Sequence, residues 1–198
     1  MIACGALARE LNYIVDRAQL RNIVIECLPA KLHNRPSRIP DAVAAKIRDA
    51  TGRYERIFVA YADCGTGGRL DDVLAQFRVE RLPGAHCYEF FADGDAFETL
   101  HDEEPATFYL TDFLARHFER LVWQGLGLDR YPELQRDYFG AYRRVVYLSQ
   151  TRDETLVTAA EAAAARLGLP LHHLHVGYGH LERSIVALRD REHPGRAE

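Results

Sequence analysis

The sequence lacks the features that mark membrane, secreted and nucleic-acid-binding proteins. No apolar stretch in its 198 residues approaches the length of a membrane span. No signal peptide is expected, because Arg9 and Glu10 come before any sufficiently long apolar run. Basic residues are not in excess, since the formal net charge is -4, whereas a phosphate-binding surface normally shows clustered basic charge. We therefore expect neither a membrane nor a nucleic acid as a partner.

Cysteine is scarce and its spacing is not that of a disulfide framework. The chain has four cysteines, and none of them form the close pairs typical of small secreted domains. This pattern favours a reducing, cytoplasmic location. Met1 falls almost directly on the first strand candidate, and such an abrupt beginning suggests a native start upstream of it.

Apolar runs alternate with helical patterns along the whole chain, which is typical of a mostly parallel sheet covered by helices. We predict an α/β fold, a Rossmann-like layered sandwich, either as a single domain over residues 1–198 or as two small lobes meeting near residues 125–139. The charged tail at 190–198 is expected to be frayed. The predicted helices are 41–50, 111–124 and 151–167, the last with a capping box from Thr151 to Glu154. The predicted strands are 1–3, 23–28, 57–61, 87–91, 107–110, 145–149 and 171–176.

Three cysteines stand at or near the ends of short apolar runs, beside loops. Cys4 precedes Gly5, Cys64 precedes a glycine-rich segment, and Cys87 follows His86. Because the loops at the carboxyl ends of parallel strands converge on one edge of a sheet, thiols distant in sequence can meet there. The alternative is that each is a small buried apolar residue. Cys27 lies inside an apolar run and is expected to lie apart.

The segment Tyr61-Ala-Asp-Cys-Gly-Thr-Gly-Gly-Arg-Leu predicts a glycine-rich turn between a strand and a helix. It lacks the ending of a P-loop and does not match the dinucleotide fingerprint. Such a turn can aim backbone N–H groups at a negative charge, so its residues are candidates for binding an anionic cofactor. The same surroundings favour the thiolate form of Cys64. These candidate residues are Gly65, Thr66, Gly67 and Gly68.

Histidines near these segments are candidate proton carriers or ligands. His33 lies in Leu-His-Asn-Arg-Pro, in loop position after the second predicted strand, and is the preferred fourth ligand or proton carrier, with His86 in reserve. Asp63 is a second candidate for proton transfer or ligand orientation. His173 and His175 would share one strand face, either as a metal pair or as half-exposed histidines of an edge strand.

These segments together resemble the bacterial and archaeal family called domain of unknown function 1638. The similarity rests on Ala3-Cys-Gly-Ala-Leu, Leu32-His-Asn-Arg-Pro, Tyr61-Ala-Asp-Cys-Gly-Thr-Gly, His86-Cys-Tyr-Glu and Thr107-Phe-Tyr-Leu-Thr. The resemblance implies an α/β fold. It also implies a link to corrinoid-dependent methyl transfer in one-carbon metabolism, and it brings no established activity.

The leading hypothesis is a metal centre held by Cys4, Cys64 and Cys87. Three thiolates from three loops leave one coordination position open, as in reactive zinc sites, and zinc there would activate a small substrate such as a thiol for methyl transfer. An iron–sulfur cluster would use the same cysteines. The rival hypothesis is a non-catalytic accessory or chaperone that binds a corrinoid protein or methyltransferase. A third is that the cysteines are merely buried and the glycine loop binds an anionic metabolite.

The aromatic-rich stretch 108–123 has two interpretations. It would cover the surface of a homodimer, or it would form the core of an ordinary helix.

Overall fold

The computed structural model describes residues 1–92 and 94–190, and the chain divides into two compact units. The first unit comprises residues 1–87 together with the segment from residue 180 onward, and the second comprises residues 88–179. Each unit has its own sheet, and every strand pairing among the described residues is parallel. The α/β fold with parallel sheets and covering helices is therefore confirmed.

The first unit contains a four-stranded sheet with the order β2-β1-β3-β4. Its core includes fully buried side chains from the central strands and from the helices, such as Val59, Leu11, Ile47 and Leu70. Buried apolar residues recur at helical spacing, with Leu11 and Ile14 three apart in α1 and Val43 and Ile47 four apart in α2, which explains why each of these helices buries one side. The strands are β1 (Ile2–Cys4), β2 (Glu26–Leu28), β3 (Phe58–Ala60) and β4 (Glu80–Arg81), and the helices are α1 (Ala8–Arg17), α2 (Ile39–Ala50) and α3 (Arg69–Phe77).

Short 3-10 helices complete the connections of the first unit. Gly5–Leu7 follows β1 directly, Ala30–Asn34 is separated from the end of β2 by one residue, and Pro36–Arg38 leads into α2. A Cβ atom on Gly5 would lie 2.7 Å from the carbonyl oxygen of Leu28. Only glycine therefore allows the end of β1 to pass this close to the end of β2.

The second unit contains a three-stranded sheet with the order β5-β6-β7 and apolar side chains on both faces. Val145 and Tyr147 pack on one face, and Val146 and Leu148 pack on the other. This alternation follows from the period of two along a strand. The strands are β5 (Thr107–Thr111), β6 (Arg144–Ser149) and β7 (Leu171–His175), and the helices are α4 (Cys87–Ala92), α5 (Gly94–Glu103), α6 (Asp112–Phe118), continued by a π-helix (Glu119–Trp123), α7 (Leu134–Phe139) and α8 (Glu154–Leu167).

The last helix, α9 (Gly179–Asp190), returns the chain to the first unit. It buries Leu181, Ile185 and Leu188. The chain divides at residues 87/88 and 179/180, so residues 125–139, near which the sequence predicts two lobes to meet, lie within the second unit. Apart from Asp190, the expected frayed tail lies outside the described residues.

One predicted strand was wrong. Residues 87–91 form most of helix α4, in which Phe90, Phe91 and Ala92 are all buried. A short apolar run does not by itself distinguish a strand from a buried helix, because it has no alternation. Strand β4 was not foreseen because Glu80 and Arg81 are both charged and give no apolar signal.

Side-chain caps begin two of the helices, and one of them differs from the cap that the sequence predicts. Thr111 caps α6 by accepting a hydrogen bond from the backbone N–H of Leu114. Helix α8 begins at Glu154, and its cap is Asp153, which accepts from the N–H of Thr155. Thr151 does not cap α8 but donates instead to a buried carboxylate described below.

Candidate functional site

The glycine-rich segment follows β3 at the carboxyl end of the strand, as the sequence predicts. Its backbone is unusual because Cys64 has φ = +51°, in the left-handed region, although it is not glycine. Gly65, Gly67 and Gly68 also have positive φ. A non-glycine residue in this region carries strain of about 1–2 kcal/mol, and such strain concentrates at functional sites. The backbone of the turn therefore fixes the direction in which the Cys64 side chain leaves the chain.

The N–H groups of this turn bind a carboxylate of the chain itself. Asp63 accepts hydrogen bonds from the N–H of Gly67 at 3.0 Å, from the N–H of Gly68 at 2.9 Å and from the hydroxyl of Thr66. Burial acts to raise the pKa of Asp63, but these hydrogen bonds outweigh it and lower the pKa. The carboxylate of Asp63 therefore occupies N–H groups that the sequence suggests as a binding site for an external anion. This arrangement supports Asp63 as an orienting residue more than as a proton carrier.

The segment leading to Cys87 is joined to the same turn by the backbone. The N–H of Asp63 donates to the carbonyl of Gly84 at 3.1 Å, and the N–H of Cys64 donates to the carbonyl of Ala85 at 2.8 Å. Arg81 holds this segment from the other side, because its guanidinium donates to the carbonyls of Leu82 and Gly84 while it pairs with Asp71. These bonds place Cys87 beside Cys64.

The thiols of Cys64 and Cys87 are in direct contact. The hydrogen bond that the Cys87 thiol donates lowers the pKa of Cys64, against the effect of burial. The same bond, together with burial, raises the pKa of Cys87. Of the two sulfurs, Cys64 is therefore the one that carries negative charge more readily.

Cys4, at the end of β1, is the third thiol of this group. It is buried, and burial raises its pKa to about 11. It lies within electrostatic range of both Cys64 and Cys87. Cys27 sits on β2 opposite Ala3, and alternation along the strand places it on the other face of the sheet from Cys4. Its side chain is exposed.

A tyrosine that the sequence analysis did not single out lies against these sulfurs. Tyr61 is only 2% exposed, and its hydroxyl has no hydrogen-bond partner among the described residues. Burial and then the neighbouring Cys4 thiol raise the pKa of Tyr61, and the thiol of Cys64 adds to this. The sequence gives one indication that Tyr61 belongs to the site. It is a tyrosine at the end of a predicted strand, three residues before Cys64.

The loop that carries His33 lies near the same turn. The side chain of Arg69 donates to the carbonyl of Ser37 at 2.7 Å, and Gly65 approaches Pro36. Although the His33 side chain is solvent-accessible, desolvation and then the neighbouring His86 lower the pKa of His33. The two candidate histidines therefore lie near each other, and the neutral form of His33 is favoured.

Three thiols suit the chemistry of zinc and of iron–sulfur centres, both of which bind thiolates. In residues 1–92 and 94–190, no group of three or more His, Cys, Asp or Glu side chains is already arranged as it would be around an ion. The contact between Cys64 and Cys87, with Cys4 beside them, nevertheless provides a suitable donor set.

A second polar cluster lies at the carboxyl ends of β5 and β6 in the second unit. The buried carboxylate of Asp112 accepts from the hydroxyl of Tyr147 at 2.7 Å, from the N–H of Gln150 at 3.0 Å and from both the N–H and the hydroxyl of Thr151. These bonds saturate its oxygens. Asp112 therefore ties the start of α6 to the end of β6 and has a structural role.

His173 and His175 share a strand face, as the sequence predicts. Nε2 of His173 lies 2.9 Å from the hydroxyl oxygen of Ser149, and Nδ1 of His175 lies 3.2 Å from it. His173 also stacks on Tyr147. The two imidazoles are thus tied to β6 through one serine hydroxyl.

The fold and this site define an α/β protein whose first parallel sheet carries a cluster of cysteines at its carboxyl edge. The chain belongs to the family described as "Protein of unknown function (DUF1638)", whose model matches residues 27–185. The matched range includes Cys64 and Cys87 and begins after Cys4. No curated protein and no solved structure shows a significant match. Among the described residues, no helix is long and apolar enough to cross a membrane.

Proposed function

We propose that Cys4, Cys64 and Cys87 bind one metal centre. Zinc is the preferred metal, and an iron–sulfur cluster is the alternative. The observation that carries the proposal is the interaction of the Cys64 thiol with the Cys87 thiol, with Cys4, from a separate segment of the first unit, within electrostatic range of both. The left-handed backbone at Cys64 supports it, because strain of this kind is retained where a side chain must be aimed.

The role proposed for this centre is to bind and activate a small substrate, such as a thiol or a methyl-transfer partner of one-carbon metabolism. Zinc with three protein ligands supplies a Lewis acid that keeps a bound thiol deprotonated and nucleophilic. The protein supplies the three thiolates and the turn anchored by Asp63. His33 and His86 would take up or release the proton of the substrate at the edge of the site. The methyl-transfer setting rests on the family resemblance.

The experiment compares the metal content of wild-type, Cys64→Ser and Cys27→Ser proteins, each purified without oxygen or chelators. We expect bound metal in the wild type and in Cys27→Ser, and none in Cys64→Ser, because a serine hydroxyl is not deprotonated near neutral pH. Circular dichroism should show all three folded, since Ser and Cys are close in size. Equal metal content in Cys64→Ser and the wild type would contradict the proposal. A metal-free wild type would favour the accessory role for a corrinoid-dependent methyltransferase.

A further inference from the structure

The hydroxyl of Tyr61 is a buried polar group at the cysteine cluster without a well-formed hydrogen bond among the described residues. Its side chain is 98% buried, given an exposed fraction of 2%, and the hydroxyl oxygen has no hydrogen-bond partner among the described residues. A buried hydroxyl without a partner costs about 1–3 kcal/mol relative to one that is paired. Such a group calls for an explanation in terms of a state in which it is paired.

The sulfurs beside this hydroxyl are those of the proposed ligands. The Cys4 thiol is within reach of the Tyr61 hydroxyl, and the Cys64 thiol lies nearby. The contact with the Cys4 thiol affects the pKa of both groups as a hydrogen bond does, but it does not reach the geometry of a full hydrogen bond. A neutral thiol is a weak acceptor, which explains why proximity alone does not satisfy the hydroxyl.

The situation changes when Cys4 is a ligand. Metal-binding cysteine is a thiolate, and an anionic sulfur accepts a hydrogen bond far more strongly than a neutral thiol does. Hydrogen bonds of this kind orient ligands and tune the metal. The hydroxyl is already a neighbour of the Cys4 sulfur to which it would donate.

We propose that Tyr61 is a positioning residue whose hydroxyl donates a hydrogen bond to the Cys4 thiolate of the metal-loaded site. The inference rests on the proposed function. Tyr61 thereby favours the loaded state, because its hydroxyl is paired there and unpaired in the metal-free protein. Removing the hydroxyl should therefore have opposite effects on the two states.

The test uses Tyr61→Phe with Tyr109→Phe as the matched control. Tyr109 is a second buried tyrosine whose hydroxyl has no partner among the described residues, and it lies in the other unit, on β5. Zinc affinity is measured by chelator competition near neutral pH, and urea unfolding is measured on metal-free protein. We expect Tyr61→Phe to bind zinc about 10- to 100-fold more weakly. We also expect it to unfold at the same or a higher urea concentration than the wild type. Tyr109→Phe should bind zinc as the wild type does.

Cobalt(II) gives a spectroscopic readout that a purely structural role would not affect. Loss of a hydrogen bond to a ligand sulfur raises the energy of its lone pairs, so the sulfur-to-cobalt charge-transfer band should move to longer wavelength in Tyr61→Phe only. Unchanged zinc affinity and an unchanged cobalt band in Tyr61→Phe would overturn the inference and leave the metal centre standing. Easier unfolding of the metal-free variant would also overturn it, because the hydroxyl would then be satisfied without metal. Failure of the wild type to bind either ion would overturn the proposed function itself.

Discussion

Asp63 and Cys64 have different roles in the glycine-rich turn that follows β3. Asp63 accepts the N–H groups of Gly67 and Gly68 and so fixes the turn, while Cys64 takes the left-handed conformation that aims its thiol. The sequence suggests that the N–H groups of these glycines bind an external anion. It could not show that the side chain of the preceding aspartate accepts those hydrogen bonds instead. The contact depends on a fold of the turn that residue types alone do not specify.

Substituting Asp63 should weaken the turn in a pH-dependent way. The pKa of Asp63 is lower in the folded protein than its ordinary value of about 3.9. Its carboxylate therefore stabilises the fold fully above that value, and the contribution is lost as the pH falls below it. We expect Asp63→Ala to reduce the free energy of unfolding by about 1–2 kcal/mol near neutral pH, since solvent screens this partly exposed group.

Urea unfolding of wild-type and Asp63→Ala protein at neutral pH and at about pH 3 measures this effect. The difference between the two proteins should shrink at the lower pH. Asp102→Ala, which removes an exposed carboxylate on α5, serves as the control and should change little. A difference of the same size at both pH values would show that Asp63 does not act through its charge.

The sequence predicts the cysteines of the candidate site but not the tyrosine beside them. Cysteines at the ends of apolar runs are recognisable because the topology of parallel strands sends those ends to one edge. Tyr61 looked like the last residue of a buried strand, and only the structure shows that its hydroxyl is left without a partner.

At the scale of elements, the site depends on how closely the ends of β1 and β2 approach. Gly5→Ala would place a Cβ atom 2.7 Å from the carbonyl oxygen of Leu28 and 3.1 Å from the backbone nitrogen of Ala30. Backbone atoms cannot yield as a flexible side chain can. We expect a loss of about 1–3 kcal/mol in the free energy of unfolding and reduced metal content, because Cys4 precedes this glycine.

Gly168→Ala is the matched control for this substitution. Gly168 ends α8 with φ = +72°, and an added Cβ there meets nothing within 4 Å. This variant should be destabilised by about 1 kcal/mol through its backbone conformation alone and should keep its metal. Wild-type stability and metal content in Gly5→Ala would show that the strand ends are not so tightly constrained.

The elements themselves were predictable where their patterns were long and apolar. Six of the predicted strands lie on observed ones, and helix α8 was foreseen from its alanine-rich sequence, although its first residues were misassigned. The helix at residues 87–92 was read as a strand because six residues are too few to reveal a period. Strand β4 consists of two charged residues that pair only because β3 is beside them.

At the scale of the whole molecule, the first unit includes a helix that lies far from the rest of it in sequence. Helix α9 returns to it after the entire second unit and buries Leu181, Ile185 and Leu188. The sequence pattern could not show this, because it predicted a meeting of lobes near residues 125–139 and gave no signal where the chain crosses between units. All three proposed ligands, together with Tyr61, His33 and His86, belong to the first unit. The proposed centre therefore needs no residue from the second.

X-ray absorption spectroscopy at the absorption edge of the bound metal is the most direct test of ligation by Cys4, Cys64 and Cys87. The protein is purified without oxygen or chelators, and the nearest neighbours of the metal are identified by element and distance. The account predicts at least three sulfur neighbours at about 2.3 Å, the length of a zinc–thiolate bond, and their loss in Cys64→Ser. A shell made only of nitrogen and oxygen, or the absence of any bound metal, would contradict it.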